Sequence, residues 1–426
     1  MIVAAHITPT FTFGGSLQHG GWLGADGENY LNALASLMTD GFASKEHLLA
    51  YWPAGYPLLL WMLTKISTAN IIWLLSITQS LYYAFASYYF SRQLLSTKLK
   101  NYVFLIALVL AFNPTLSLSS LAVGYESPIA ASMLMVIGLM IKSQQEERNR
   151  AFWIRIVLIG FNFALAALMQ PRWLLTTILV TAIWAFAQKS RKHAVIILIT
   201  VIGIMAISPI VLIERNVKAG NGAFISSNLG VTMRIGAGDQ TTGSYSRKGP
   251  EVPCDPVAPA TTVSDNDVVK CVIKWYAGHP IKGFSLFINK SFFFWSPWSG
   301  PEANGTMARN PWLKINPLVN TAKASQSGAQ LVYGTIGKTI SWIWLLGGIS
   351  LFFLGFFWLR SLGGSYSLIA WLAASPVLAS WLVAMGTIGD HRFRLPTMPL
   401  SLFLQVLGIY ALKKKAATGT FAHIEG

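Results

Sequence analysis

The chain carries only 16 acidic residues, and four of them, Asp26, Glu28, Asp40 and Glu46, fall within residues 24–58. The Asp26-Gly27-Glu28 spacing sets two carboxylates close together. Such a pair can bind a cation or divide the roles of base and orienting group, so a divalent metal stays open without being specified. On a helix over 27–38, Asp26 and Tyr30 share one face with Ala33; the plainer duty for Asp26 is to cap that helix. Glu126 lies in a mostly apolar stretch. A carboxylate inside a bilayer costs about 2.5–3.5 kcal/mol, so it faces a cavity or a partner, unless it sits at a helix N-terminus near the interface. The cations that could oppose these acids are Arg172 after Gln170-Pro171, and Arg392 and Arg394 beside Asp390 and His391. A guanidinium fork suits bidentate contact with phosphate, the alternatives being a bridge to Asp390 or snorkelling to headgroups. Lys290, just before the aromatic run Phe292–Trp295, is a further candidate.

The elements that must position these groups are membrane helices. Of 426 residues, 53% are hydrophobic and 11% charged, against about 25% charged in soluble domains. The net charge of +16 does not point to nucleic acid, because the basic residues form short clusters between apolar runs, the pattern that orients a membrane protein. Nine such runs fall at 69–91, 102–118, 127–142, 152–169, 172–188, 194–213, 336–359, 366–387 and 395–412. Basic residues follow every second run, at Arg92, Lys142, Lys189, Arg360 and Lys413. Those connections then face the cytoplasm and the others face outward.

The expected layout is a first external loop over 1–68 with interfacial helices, membrane helices over 69–213, an external subdomain over 214–335, membrane helices over 336–412 and a cytoplasmic tail over 413–426. Pro53, Gly55 and Pro57 are expected to interrupt helix in the first loop. With nine helices and a cytoplasmic C-terminus, Met1 lies outside, so a further helix is expected upstream of it. Cys254 and Cys271 both fall in the long polar loop. A disulfide between them would suit an oxidising space and stabilise by about 3 kcal/mol on the chain-entropy model; two free thiols are the alternative. Asn304-Gly305-Thr306 forms a sequon that carries no weight alone.

Several segments, in order, resemble the GT-C glycosyltransferases, most nearly the bacterial branch with protein O-mannosyltransferase-like proteins and lipid A aminoarabinose transferases. The resemblance rests on Asp26 and Tyr30, the stretch Pro53 to Pro57 containing Tyr56, Glu126, Pro171-Arg172 and Arg215-Asn216. It continues through Gly238 to Tyr245, His279-Pro280, Lys290, Trp295, and Arg392 with Pro396. It implies an all-α polytopic membrane protein, a GT-C-like helical bundle with a long external loop domain. It also implies inverting transfer of a sugar from a polyprenyl-phosphate donor to a lipid, glycan or protein acceptor at the outer face of a bacterial inner membrane, facing the periplasm. Asp26 would be the base or would orient the acceptor hydroxyl, with Glu28 and Glu126 as the other acids. Arg172, Arg392, Arg394 and Lys290 would hold the donor phosphate, and Tyr30, Tyr56 and His391 would contact or position the acceptor. Partners would be the lipid-linked donor and membrane lipids. Where the aminoarabinose transferases carry Glu-Lys before the first proline, this chain has Tyr51-Trp52, which argues against that substrate and a lysine clamp there. The chemistry agrees independently: a lipid phosphate leaves as a stable anion, so the site needs one base and cations rather than a general acid. A transporter or flippase of a lipid-linked substrate is the second reading. It should line a path through the bilayer with polar groups, whereas here they gather at one face.

Overall fold

The computed structural model describes residues 22–23, 27–113, 116, 119–120, 122–145, 148–188, 190–244, 265–295 and 335–418. α6 (Glu126–Gln145) is buried along nearly its whole length, which makes it the centre of the bundle. It packs against α4 (Ile71–Leu95), α7 (Arg150–Met169) and a 3₁₀ turn at His391–Thr397. The remaining long elements are α5 (Val103–Phe112), α8 (Trp173–Phe186), α9 (Arg191–Met205), α10 (Ile207–Lys218), α14 (Thr335–Ser361), α15 (Gly364–Gly386) and α16 (Met398–Thr418). All nine apolar runs therefore contain helix. Among the described residues, five segments are long and apolar enough to cross a membrane: α6, α7, the continuous α9–α10 pair, α15, and the 3₁₀ turn running into α16. The chain is a multi-pass, all-helical membrane protein. α4 is long enough but less apolar, since Ser76, Gln79, Ser87, Ser91 and Gln93 are buried within it.

The first loop is helical over much of its described length. It contains α1 (Gly27–Asp40), α2 (Leu48–Tyr51) and α3 (Gly55–Thr64). On α1, Tyr30, Ala33, Leu34 and Leu37 are buried, the i, i+3, i+4, i+7 stripe of an amphipathic helix. The proline-rich stretch interrupts helix as expected: α2 ends at Tyr51 and α3 begins at Gly55, with Pro53 in the turn between them. It also begins the next helix: Pro57 is the third residue of α3, where the first turn needs no amide from it. A two-residue parallel bridge pairs β1 (Trp22–Leu23) with β2 (Ala122–Val123), which sets the beginnings of α1 and α6 side by side. In the long loop the described parts are α11 (Leu229–Ile235), α12 (Asp265–Gly278) and α13 (Pro280–Trp295). α11 packs on α12, and α13 packs on α15.

Candidate active site

Three segments far apart in sequence meet at the entrance to α6. Glu126, in the first turn, forms an ion pair with Arg392 of the 3₁₀ turn, Nε to Oε1. Asp390 supports that turn by accepting the Arg392 amide at 2.9 Å. Arg172, between α7 and α8, donates to the Tyr125 hydroxyl at 3.3 Å and stacks on the Phe393 ring at 4.0 Å. Both guanidiniums lie over the Tyr125 ring, at 5.8 Å for Arg172 and 5.6 Å for Arg392. Two cations thus share one aromatic ring. Glu126 neutralises Arg392, while no carboxylate among the described residues pairs with Arg172. Among the described residues, Arg172 is thus a cation without an ion-pair partner.

That charge lines a cavity of about 560 Å³, within the range of small-ligand sites. One wall is aromatic: Tyr30, Tyr51, Trp52 and Tyr125. Tyr30 packs against Trp52, Tyr56 and Tyr125, with ring centroids at 5.8, 4.9 and 6.4 Å. The opposite wall comes from the long loop, with Phe224, Ile225, Thr232 and Asp265. Arg215 and Asn216 hold it in place. Arg215 is buried and donates to the Asn216 side chain and the Ser44 carbonyl. Asn216 donates to the carbonyls of Phe224 and Ile225 at 2.8 and 3.2 Å, and the Ser227 amide donates to the Ala50 carbonyl at 3.1 Å. The first loop and the long loop are thereby laced together around the cavity.

The expected site residues separate by position. Tyr30, Arg172 and Arg392 line the cavity. Glu126 acts on it through Arg392. Tyr56 stands behind the wall, donating to Gln79 at 3.2 Å and accepting the Gly124 amide at 2.9 Å. Arg394 turns away and donates to the Trp295 carbonyl at 2.7 Å. Lys290 is buried, away from the cavity lining, and donates to the carbonyls of Met385 and Thr387. Burial pushes its ammonium down to about 7. Asp26 and Cys254 lie outside the described residues, as do the side chains of Glu28 and His391. Cys271 is disulfide-bonded. Among the described residues no cluster of three or more His, Cys, Asp or Glu is placed to hold a metal.

Sequence reasoning did not single out Asp265. It is the first residue of α12 and lines the cavity, yet its carboxylate is engaged. It accepts the Gly230 amide at 2.7 Å and those of Leu229 and Val231, capping the start of α11. Burial pushes its carboxyl above the usual range and those amides pull it back. Its only sequence signal is an acid ahead of an apolar helix. Tyr51-Trp52, noted in the sequence as a departure from the aminoarabinose transferases, forms part of the aromatic wall.

No family model matches the chain, and no curated protein does. Among solved structures it is similar to the archaeal oligosaccharyltransferase AglB from Archaeoglobus fulgidus in complex with an inhibitory peptide and a dolichol-phosphate. The TM-score is 0.46 at 12% identity, over 100% of this chain and 52% of that one. It is likewise similar to the Archaeoglobus fulgidus oligosaccharyltransferase in complex with Zn and sulfate, with TM-score 0.48 at 13% identity over 97% and 49%. The chain spans about half the length of these structures. The roles of its side chains rest on its own geometry.

The Glu126–Arg392 pair is nearly buried, with side chains 11% and 13% exposed. Removing one partner of such a pair strands the other charge. Glu126→Ala is therefore expected to destabilise the protein by about 3 kcal/mol or more, read as a lower melting temperature in detergent. Adding Arg392→Met should restore part of the loss. Two independent, additive decrements would show that the pair is not coupled.

Proposed function

We propose that this chain is an inverting glycosyltransferase. It moves a sugar from a polyprenyl-phosphate donor to a lipid, glycan or protein acceptor at the outer face of a bacterial cytoplasmic membrane. The observation that carries the reading is Arg172, a guanidinium without a carboxylate partner among the described residues, on the wall of an aromatic cavity in a membrane protein. A cation so placed suits an anionic group, and aromatic walls suit the apolar faces of sugar rings. In the proposed step the acceptor hydroxyl oxygen attacks the anomeric carbon from the face opposite the phosphate. The bond between the anomeric carbon and the phosphate oxygen breaks, and the electron pair leaves with polyprenyl phosphate. Arg172 and Arg392 hold that phosphate as its charge grows. Asp26 takes the hydroxyl proton or orients it. Glu126 holds Arg392 in place. If a divalent metal takes part, Asp26 and Glu28 are the acids that would bind it.

The test uses purified protein in liposomes with a polyprenyl-phosphate sugar and mixed acceptors. New glycoside and free polyprenyl phosphate are the expected products. Movement of intact donor between leaflets, with no bond broken, would favour a flippase instead.

A further inference from the structure

Lys290 is fully buried on α13. Its Nζ donates to the Tyr276 hydroxyl at 2.8 Å, the Thr387 carbonyl at 2.7 Å and the Met385 carbonyl at 3.2 Å. No carboxylate among the described residues pairs with it. The two carbonyls belong to the end of α15, where helical carbonyls lack intrahelical partners and a cation is favoured. The chain closes tightly around this contact. The Gly389 amide donates to the Gly243 carbonyl at 2.9 Å. A Cβ on Gly389 would meet the Lys290 Cα at 2.5 Å, and one on Gly243 would meet the Lys290 Cγ at 2.9 Å. Gly389 thus lies against the Lys290 backbone and Gly243, at φ +92°, against its stem, and neither leaves room for a Cβ. Thr387, held through its carbonyl, lines the cavity. The next residues are Ile388, Gly389 and Asp390, and then the turn that carries Arg392 and Phe393.

A buried ammonium held by dipoles alone costs the fold stability, and an apolar side chain of similar shape is commonly tolerated or better there. What the charge secures is the segment between α15 and the 3₁₀ turn. We infer that Lys290 is a positioning residue for the anion site: it anchors the end of α15 so that residues 387–393 present Arg392 and Phe393 to the cavity. The consequence for ligand binding rests on reading that cavity as a lipid-phosphate site; the anchoring of the segment does not.

The experiment uses the full chain in nanodiscs and compares Lys290→Met, which keeps the stem and removes the charge, with Tyr276→Phe, which removes one acceptor. Three quantities are read at about pH 6, below the value of about 7 to which burial pushes Lys290, so that its ammonium is charged: melting temperature, hydrogen exchange at the amides of Gly389 and Arg392, and affinity for a polyprenyl phosphate. Lys290→Met is expected to melt no lower than the wild type. Its Gly389 and Arg392 amides should exchange about 10-fold faster, and its Kd should rise several-fold. Tyr276→Phe should loosen the same amides to a smaller degree. A simple packing role predicts the opposite pattern, a lower melting temperature with unchanged local exchange, and that result overturns the inference. Unchanged exchange in both variants overturns it as well. If the wild type fails to bind polyprenyl phosphate, the lipid-phosphate reading falls, and amide exchange still decides the role of Lys290.

Discussion

Asp26→Asn is expected to lower sugar transfer by about 100-fold or more, the usual loss on removing a positioned base, while leaving affinity for the donor intact. Glu126 is bound to Arg392, and a carboxylate held by a guanidinium is a poor proton acceptor. Asp265 is engaged by three backbone amides. Asp390 accepts the Arg392 amide. These three described carboxylates at the site are thus committed to structure, which points the proton elsewhere. The first-loop acids immediately precede and begin α1, whose Tyr30 lines the cavity. Asn keeps the size and one acceptor oxygen of Asp26 and removes its basicity, so initial-rate kinetics separate base from packing. Glu28→Gln should have a smaller effect. A near wild-type rate in Asp26→Asn would remove Asp26 as base and shift the role to Glu28.

Arg172→Ala should weaken donor binding by roughly 10- to 150-fold, the ~1.5–3 kcal/mol of a hydrogen bond to a charged group. Among the described residues Arg172 has no carboxylate to strand, so its removal should cost little stability, in contrast to Glu126→Ala. The ring contact with Phe393 at 4.0 Å fixes the guanidinium plane. Arg172→Lys would keep the charge and lose both the stacking and the fork, and should fall between wild type and Ala. Donor KM and the melting temperature, measured together, check this. A lower melting temperature with unchanged KM would make Arg172 a packing residue.

Much of the scaffold was legible because membrane helices announce themselves through apolar length, and α1 through the buried stripe of Tyr30, Ala33, Leu34 and Leu37. The stretch around Pro53 and Pro57 was legible as a break between helices, with α2 ending at Tyr51, but not as the start of the next one. Proline signals the start of a helix as readily as its end, and only the position of Pro57 within α3 decides between them. The residue types of the site were legible; their pairing was not. Glu126 and Arg392 were each read as candidates, but their contact joins positions 126 and 392 across the bundle, and no local pattern records that. Lys290 shows the same limit from the other side. A lysine beside aromatics reads as an anion binder, and only the tertiary structure reveals that its partners are the carbonyls at the end of α15. Asp265 left no signal beyond that of a helix cap.

The central claim is a division of labour: the cavity cations hold a lipid phosphate and a first-loop acid handles the proton. Equilibrium binding of a polyprenyl phosphate to the wild type, Arg172→Ala and Asp26→Asn, each in nanodiscs, tests it most directly. The account predicts binding to the wild type, undiminished binding to Asp26→Asn and a loss of about 10-fold or more in Arg172→Ala. Equal affinity in all three proteins, or a loss confined to Asp26→Asn, would contradict it.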